Sequence, residues 1–339
     1  MKLKKQFSEF YTAIRIHGES QNLIDKRKTL QGDVESKFPD EMKKHDITLK
    51  KSDIKFFDQG SYRYNTTINT SPIDRDVAVK IPLDIVENPD PRKIKIYLYD
   101  ALSTVSTRTV SIKEPCVSVA YFEDGEEWMH IDMPLYAEHD GHVYLARGKR
   151  TGNYQWELAD PEGLNEDLCD KINGNAQLRR IICFIKKWRD EKYANSTLDN
   201  EIPPSIGLTY LACDCFTEVS SECGDDDLEA LQKTMEKILG MFKKTYEDGV
   251  LVKADITRLL PVQPYSDIFQ KMKDASDDYG VKFYNRLFKA VENLTNALNV
   301  ENDYDAGMYV QKVLGEEFEL PEKPSKEVST QSKKEHSFG

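Results

Sequence analysis

The sequence predicts an α+β protein in two parts, with a strand-rich first half that carries acidic chemistry and a helical second half. Three observations lead there. At 339 residues the chain is long enough for two domains. Between Phe56 and Ala146, short runs of alternating apolar residues are separated by turn dipeptides, which is the pattern of strands and hairpins. Beyond Tyr154, apolar residues recur at helical spacing in one segment after another.

In order, Phe7 to Phe38 reads as helical. Phe7, Phe10, Tyr11 and Ile14 make one apolar stripe, Gly18 interrupts, and Leu23, Leu30, Val34 and Phe38 make a second. A charged connection leads through Ile47 to Leu49 into the stretch that organises the chain, Phe56 to Leu83. It holds a small-residue turn, Gln59-Gly60-Ser61, then a polar run, then Asp74-Arg75-Asp76-Val77-Ala78-Val79-Lys80-Ile81. Strand side chains alternate between faces, so Asp74 and Asp76 share one face while Val77, Val79 and Ile81 take the other. Pro89 and Pro91 follow, with a helix expected over Lys93 to Val105. Val117, Val119 and Tyr121 then alternate, Asp124-Gly125 marks a tight hairpin, and the returning strand runs from Trp128 to Leu135. On it Ile131, Met133 and Leu135 share one face and His130 and Asp132 the other. Pro134 ends the ladder. Asp140-Gly141 marks a further hairpin into Val143 to Ala146.

After the basic, glycine-containing stretch Arg147 to Tyr154, helices are expected, with Trp156 to Pro161 as the hinge. Over Asn175 to Arg189 the stripe is Leu178, Ile181, Ile182 and Ile185, with Trp188 at its edge. At about 100° per residue Lys186 falls beside that stripe and Lys187 nearly opposite, so Lys186 is the lysine that reaches a cleft. Pro203-Pro204-Ser205 opens another helix. Leu228 to Phe242 marks a third that ends near Gly249, Pro261 to Asp267 is a turn into a helix, and Phe283 to Leu298 is expected as the last helix. From Pro321 there is little to bury, and disorder is expected.

Composition narrows the class. No apolar run approaches the roughly 18 residues of a membrane span, and the first residues lack a signal peptide's apolar core. A net charge of -12 argues against a protein that coats duplex nucleic acid. The six cysteines have no usual zinc spacing and read as buried, reduced thiols of a cytoplasmic protein.

Two carboxylates held on one face of a strand repel unless a cation sits between them. A hard divalent ion suits them, and it takes its remaining ligands from phosphates and water. Gly60 lets backbone approach a phosphate, and Ser61 and exposed amides donate to it, with a helix dipole expected there as well. Asp74, Asp76 and Asp132 therefore fit two-metal nucleotidyl transfer with two Mg2+ ions, Mn2+ being an alternative. Asp74 and Asp76 would hold both ions and Asp132 would complete the site of the one that activates the attacking hydroxyl. Gln59, Gly60, Ser61, Lys186 and Ser205 would reach the triphosphate. Ser205 also reads as a helix cap, His130 as a neighbour of the acids rather than a general base, and Trp156 and Trp188 as packing residues.

These residues carry a family resemblance. Gln59-Gly60-Ser61, Asp74-x-Asp76, His130 to Ala137, Trp156-x-x-x-Asp160-Pro161, Ile185-Lys186-Lys187-Trp188 and Pro204-Ser205-Ile206-Gly207-Leu208 resemble those of bacterial cGAS/DncV-like nucleotidyltransferases, the CD-NTases. The likeness runs from about Phe56 to Phe318 and includes Leu260-Pro261-Val262-x-Pro264 and Leu314 to Phe318. It implies a bilobed polymerase-beta-like fold. Residues 1–160 would be the catalytic lobe, built on a mixed sheet with N-terminal bracing helices, 161–320 the helical lobe and 321–339 a disordered tail. It also implies synthesis of a cyclic di- or trinucleotide from nucleoside triphosphates as an antiphage signal. The zinc-binding insertion of the animal relatives is missing, so no obligatory DNA activator is expected. Ile206 stands where those relatives place a base-stacking aromatic. A linear product, transfer to another molecule, or a non-catalytic nucleotide-binding module are the alternatives. The terminal Gly339 suits thioester activation by an E1/E2-like conjugation enzyme, as the tails of some CD-NTases do.

Overall fold

The computed structural model describes residues 2–16, 21–69, 72–196 and 201–323. Gly18 and the tail from residue 324 on, with the conjugation expected at Gly339, lie outside them. The elements are α1 (Lys4–Ile14), α2 (Gln21–Lys43), β1 (Lys55–Gln59), β2 (Ile73–Pro82), α3 (Pro91–Leu102), β3 (Thr109–Ile112), β4 (Val117–Glu123), β5 (Glu126–Met133), β6 (Leu135–His139), β7 (His142–Gly148) and β8 (Tyr154–Ala159). Then come α4 (Pro161–Ile172), α5 (Ala176–Tyr193), α6 (Ser205–Cys215), β9 (Ser220–Ser221), β10 (Gly224–Asp225), α7 (Asp227–Gly240), β11 (Lys243–Glu247), β12 (Val250–Asp255), α8 (Gln270–Ala275), α9 (Tyr279–Asn299) and α10 (Asp303–Leu314).

The first half folds around one mixed sheet in the order β3-β4-β5-β2-β6-β7-β8, with β1 added beside β2. β2 runs parallel to β5 and β6 and antiparallel to β1. β5 and β6 are one line of chain interrupted at Pro134, and their register against β2 carries through the break. Ile73 to Asp76 face Met129 to Asp132, and Val79 to Pro82 face Leu135 to Glu138. The proline removes a ladder donor where β5 leaves β4 and β6 takes up β7, so the sheet forks there. Asp124 and Gly125, at φ 52 and 86, form the turn between β4 and β5, as the Asp-Gly dipeptide requires.

Val77, Val79 and Ile81 are buried beside Ile94 and Leu98 of α3 and Val34 and Phe38 of α2, which makes the sheet's own core. A second core gathers α4 to α10. It centres on Trp188 and Phe283 and draws in Phe7, Phe10 and Ile14 of α1. The α1 stripe thus packs among the helices, while α2 lies on the sheet. Trp188, expected at a stripe edge, is wholly enclosed. Lys80 of β2 joins the two parts through an ion pair with Glu162 of α4, and Asn165 donates to the Asp58 carbonyl at 2.9 Å.

Several expectations change. The region after Arg147 is not yet helical, because Tyr154 to Ala159 form β8 against β7, which puts most of the expected hinge in a strand. Helix α7 stops at Gly240, and Asp248-Gly249, read as a helix end, is the turn of the β11–β12 hairpin. The helix expected over Lys93 to Val105 spans Pro91–Leu102, started by Asp90, whose side chain accepts from the Arg92 amide. Helix α9 is not the last, since α10 packs along it. All six thiols are free, but only Cys116, Cys183 and Cys215 are buried, and Cys223 is exposed. No helix of the described residues is long and apolar enough to cross a membrane.

Candidate active site

The register of the sheet builds the acidic cluster. Asp76 stands directly across from Asp132, Asp74 from His130, and Gln59 of β1 from Asp76 on the other side. Three carboxylates predicted from strand periodicity therefore do meet on one face. One ligand atom each from Asp74, His130 and Asp132 lies within 4.8 Å of the others.

The next residue after β1 is Gly60, which opens a single 3-10 turn over Gly60–Tyr62. Its φ of 68 is strained for any side chain, and a Cβ would stand 2.4 Å from the Asp76 carboxylate. Both the conformation and the space require glycine. The α-helix whose dipole was expected to start here is absent, replaced by that short turn. A helix N-terminus does border the same cleft, that of α6, which starts at Ser205.

The cleft has a volume of about 260 Å³ and brings together Gln59, Gly60, Ser61, Asp74, Asp76, Lys186 and Ser205. Each of the expected nucleotide-binding residues thus lines it. Their side chains are held in different ways. The Gln59 amide is tied to the Tyr136 hydroxyl at 3.1 Å, and the Ser61 hydroxyl accepts from Thr67 at 2.9 Å. Lys186 is buried and donates to the Thr66 carbonyl at 3.0 Å and its hydroxyl at 3.1 Å, so it anchors the loop that follows Gly60-Ser61. Burial pushes its pKa down to about 8. Lys187 points away into ion pairs with Glu191 and Glu317, the split that the 100° spacing predicts. Ser205 is the first helical residue and not the cap; Pro204 precedes it and offers no side-chain hydrogen bond.

The acids are unequally neutralised. His130 bridges Asp74 at 3.1 Å and Glu127 at 2.8 Å, and its hydrogen bond to the Asp74 carboxylate raises its pKa above the ordinary histidine value. Lys113, at the end of β3, grips both oxygens of Asp132 at 3.0 and 3.2 Å. Asp76 fares worst. Burial, then Asp74 and Asp132, push its carboxyl up to about 7, and His130 and Lys113 offset this only in part.

A part-buried acid left short of positive charge, beside two others and a backbone cradle, fits a divalent cation. The carboxylate oxygens suit Mg2+ or Mn2+, while both ring nitrogens of His130 are engaged by Asp74 and Glu127. Asp74, Asp76 and Asp132 are the residues that would hold it.

Sequence reasoning missed Lys113, the partner of Asp132, and the wall residues Tyr64, Leu164, Asn165, Leu168 and Thr209 of the cleft. Tyr64 follows the Gly-Ser turn closely and could have been suspected as one of two tyrosines in a polar run. Burial, with Asp76 adding to it, pushes its phenol pKa up. Lys113 lies in a turn after β3, and Leu164, Asn165, Leu168 and Thr209 belong to helices whose facing residues only the tertiary packing selects.

Comparison with known proteins agrees with this geometry. Residues 54–136 match the family described as cyclic GMP-AMP synthase DncV-like, nucleotidyltransferase domain. The structure resembles Vibrio cholerae DncV cyclic AMP-GMP synthase in complex with the linear intermediate pppA(3',5')pG. The TM-score is 0.68 at 17% identity over 95% of this chain and 99% of the other. The same enzyme with nonhydrolyzable GTP matches equally, with a TM-score of 0.68 at 17% identity over 95% and 100%. The Bradyrhizobium diazoefficiens CD-NTase CdnG in complex with GTP gives 0.68 at 14% identity over 93% and 96%. No curated protein sequence matches the chain. At these identities the likeness establishes the bilobed nucleotidyltransferase fold.

Proposed function

We propose that this chain, whose residues 54–136 form a DncV-like nucleotidyltransferase domain within a bilobed CD-NTase fold, links nucleoside triphosphates and closes the product into a cyclic di- or trinucleotide. The single observation that carries the reading is the meeting of Asp74, Asp76 and Asp132 on registered strands beside Gly60. In each transfer a ribose hydroxyl oxygen attacks the α-phosphorus of a second nucleotide. A P–O bond forms, the bond to pyrophosphate breaks, and the hydroxyl proton is lost to solvent. Divalent ions, when bound, neutralise charge on the attacking and leaving oxygens. Asp74 and Asp76 would hold those ions near the reacting phosphate, Asp132 would serve the attacking side, and Gly60 lets the backbone come close enough for phosphate to approach. The α6 amino terminus and Lys186 supply positive potential at the far wall. A linear intermediate in the Vibrio enzyme supports two successive transfers in one cleft. The product would act as a signal in antiphage defence.

Purified protein incubated with all four nucleoside triphosphates and Mg2+, then analysed by mass and phosphatase treatment, tests this. The expected product resists phosphatase and has the mass of a cyclic di- or trinucleotide, with pyrophosphate released. A phosphatase-sensitive product means linear synthesis. Triphosphate binding without pyrophosphate release means a binding module and rejects the proposal. Protection of bacteria from phage by the wild type and not by Asp74→Asn/Asp76→Asn tests the biological role.

A further inference from the structure

Lys113 has no assigned part in nucleotidyl transfer, yet it is placed with unusual care. It leaves β3 into the turn Lys113–Cys116, which its own amide closes by donating to the Cys116 carbonyl at 3.0 Å. The turn is gripped from behind by Lys95 of α3, a fully buried lysine whose ammonium donates to the carbonyls of Lys113 at 2.7 Å, Glu114 at 2.8 Å and Gly148 at 2.7 Å. Arg147 adds a second hold through both oxygens of Glu114, at 2.9 and 2.8 Å. The result is a rigid backbone support from which one half-exposed lysine reaches Asp132.

Asp132 sits directly across from Asp76, and the Asp74–His130 pair lies two positions along on the same face. Like charges facing one another across a strand pair destabilise it. A bound divalent cation removes the conflict, but before it arrives something else must.

We propose that Lys113 is the resident counter-cation of Asp132, which it holds in the ion-free protein and must release when a divalent ion binds, so that loading the site is an exchange of one positive charge for another. This rests on the reading of Asp74, Asp76 and Asp132 as the cation-binding acids. An ion that needs Asp132 competes with Lys113 for the same two oxygens, and the lysine's charge also repels the incoming ion. Lys113 therefore weakens cation binding while it stabilises the empty site. Its place in the reaction is ahead of the chemistry, as a setting of the ion concentration at which the enzyme becomes loaded.

Titration of Mn2+ alone into the full chain, followed by the electron paramagnetic resonance signal of free Mn2+, measures this without turnover. The variants are Lys113→Met, Lys113→Arg, Asp132→Asn and, as a remote control, Lys28→Met, an exposed lysine of α2. Lys113→Met should bind Mn2+ about tenfold more tightly than the wild type, as loss of one neighbouring positive charge implies. Lys113→Arg and Lys28→Met should stay within about twofold of it. The unfolding midpoint without ion should fall for Lys113→Met, and saturating Mn2+ should remove the deficit. Lys113→Gln, close in size, repeats the test should the methionine variant fold poorly. Equal or weaker Mn2+ binding by both uncharged variants overturns the proposal and leaves the site standing. Wild type and Asp132→Asn binding Mn2+ alike overturns the site reading and the proposal together.

Discussion

Strand β2 carries charge on both faces, and the two faces treat it oppositely. On one, Arg75 reaches Asp58 of β1 at 3.1 Å, Arg27 of α2 meets the other Asp58 oxygen at 3.1 Å, and the Arg75 guanidinium lies 4.8 Å from the Tyr62 ring centre. Each charge there has an opposite neighbour. On the other face, Asp74, Asp76 and Asp132 crowd together and share His130 and Lys113 between them. Neighbouring residues of one strand thus separate charge that holds the fold together from charge kept in excess. Charge of one sign crowded on one face costs stability, and a protein that retains it has a use for an external cation.

The largest expected effect breaks the acid face outright. Asp74→Asn with Asp76→Asn should cut product formation by about a thousandfold or more while the fold persists, read as product by mass with Mg2+. Retained synthesis would show that the two faces differ in charge and not in role.

Gly60→Ala comes next. The added methyl meets the Asp76 carboxylate and the residue sits at positive φ, so activity should fall by tenfold or more. Stability should drop by about 1 kcal/mol from the backbone alone. Substitution at Gly125, which has open space around it, should leave the steady-state rate nearly unchanged and serves as the contrast.

The opposite face should behave as structure. Arg75→Met leaves Asp58 with Arg27 as its remaining ion-pair partner among the described residues and should destabilise the fold by about 2 kcal/mol, seen as a lowered unfolding midpoint. The acid-face variants should move the midpoint the other way in the absence of ion.

A smaller effect follows from pH. The folded-state pKa of Asp76 is raised to about 7 from an ordinary carboxylate value of 3.8. The folded protein therefore binds a proton that the unfolded chain has already lost between those values. Stability must fall as pH rises from about 4 to 7, and the deficit persists above that. Asp76→Asn should flatten this slope when unfolding is measured without divalent ions across that range.

The acid face was legible in the sequence because strand alternation is strict. Asp74 and Asp76 had to share a side, the Asp124-Gly125 turn returned the chain, and Asp132 fell into line by the same rule. Lys186 was separable from Lys187 by helical angle alone. What stayed hidden depended on contacts between distant segments. Lys113 meets Asp132 only because Lys95, on another element, fixes its turn. Strand β8 was obscured by its position just before the Asp160-Pro161 helix start. The β11–β12 hairpin was obscured because Lys243 to Glu247 are exposed throughout and lack an apolar face, although Asp248-Gly249 carried the turn signal. The pairing of Arg75 with Asp58 was likewise unreadable, since strand β1 was not identified as such before its register was known.

The most direct test compares the thermal unfolding of wild type and Asp76→Asn, each alone and with Mg2+ plus a nonhydrolyzable nucleoside triphosphate. The surplus of negative charge on the acid face predicts that the variant is the more stable protein when both are ion-free, and that only the wild type gains substantially from Mg2+ and nucleotide. A variant that is less stable than the wild type without ions, or that gains as much from them, would contradict it.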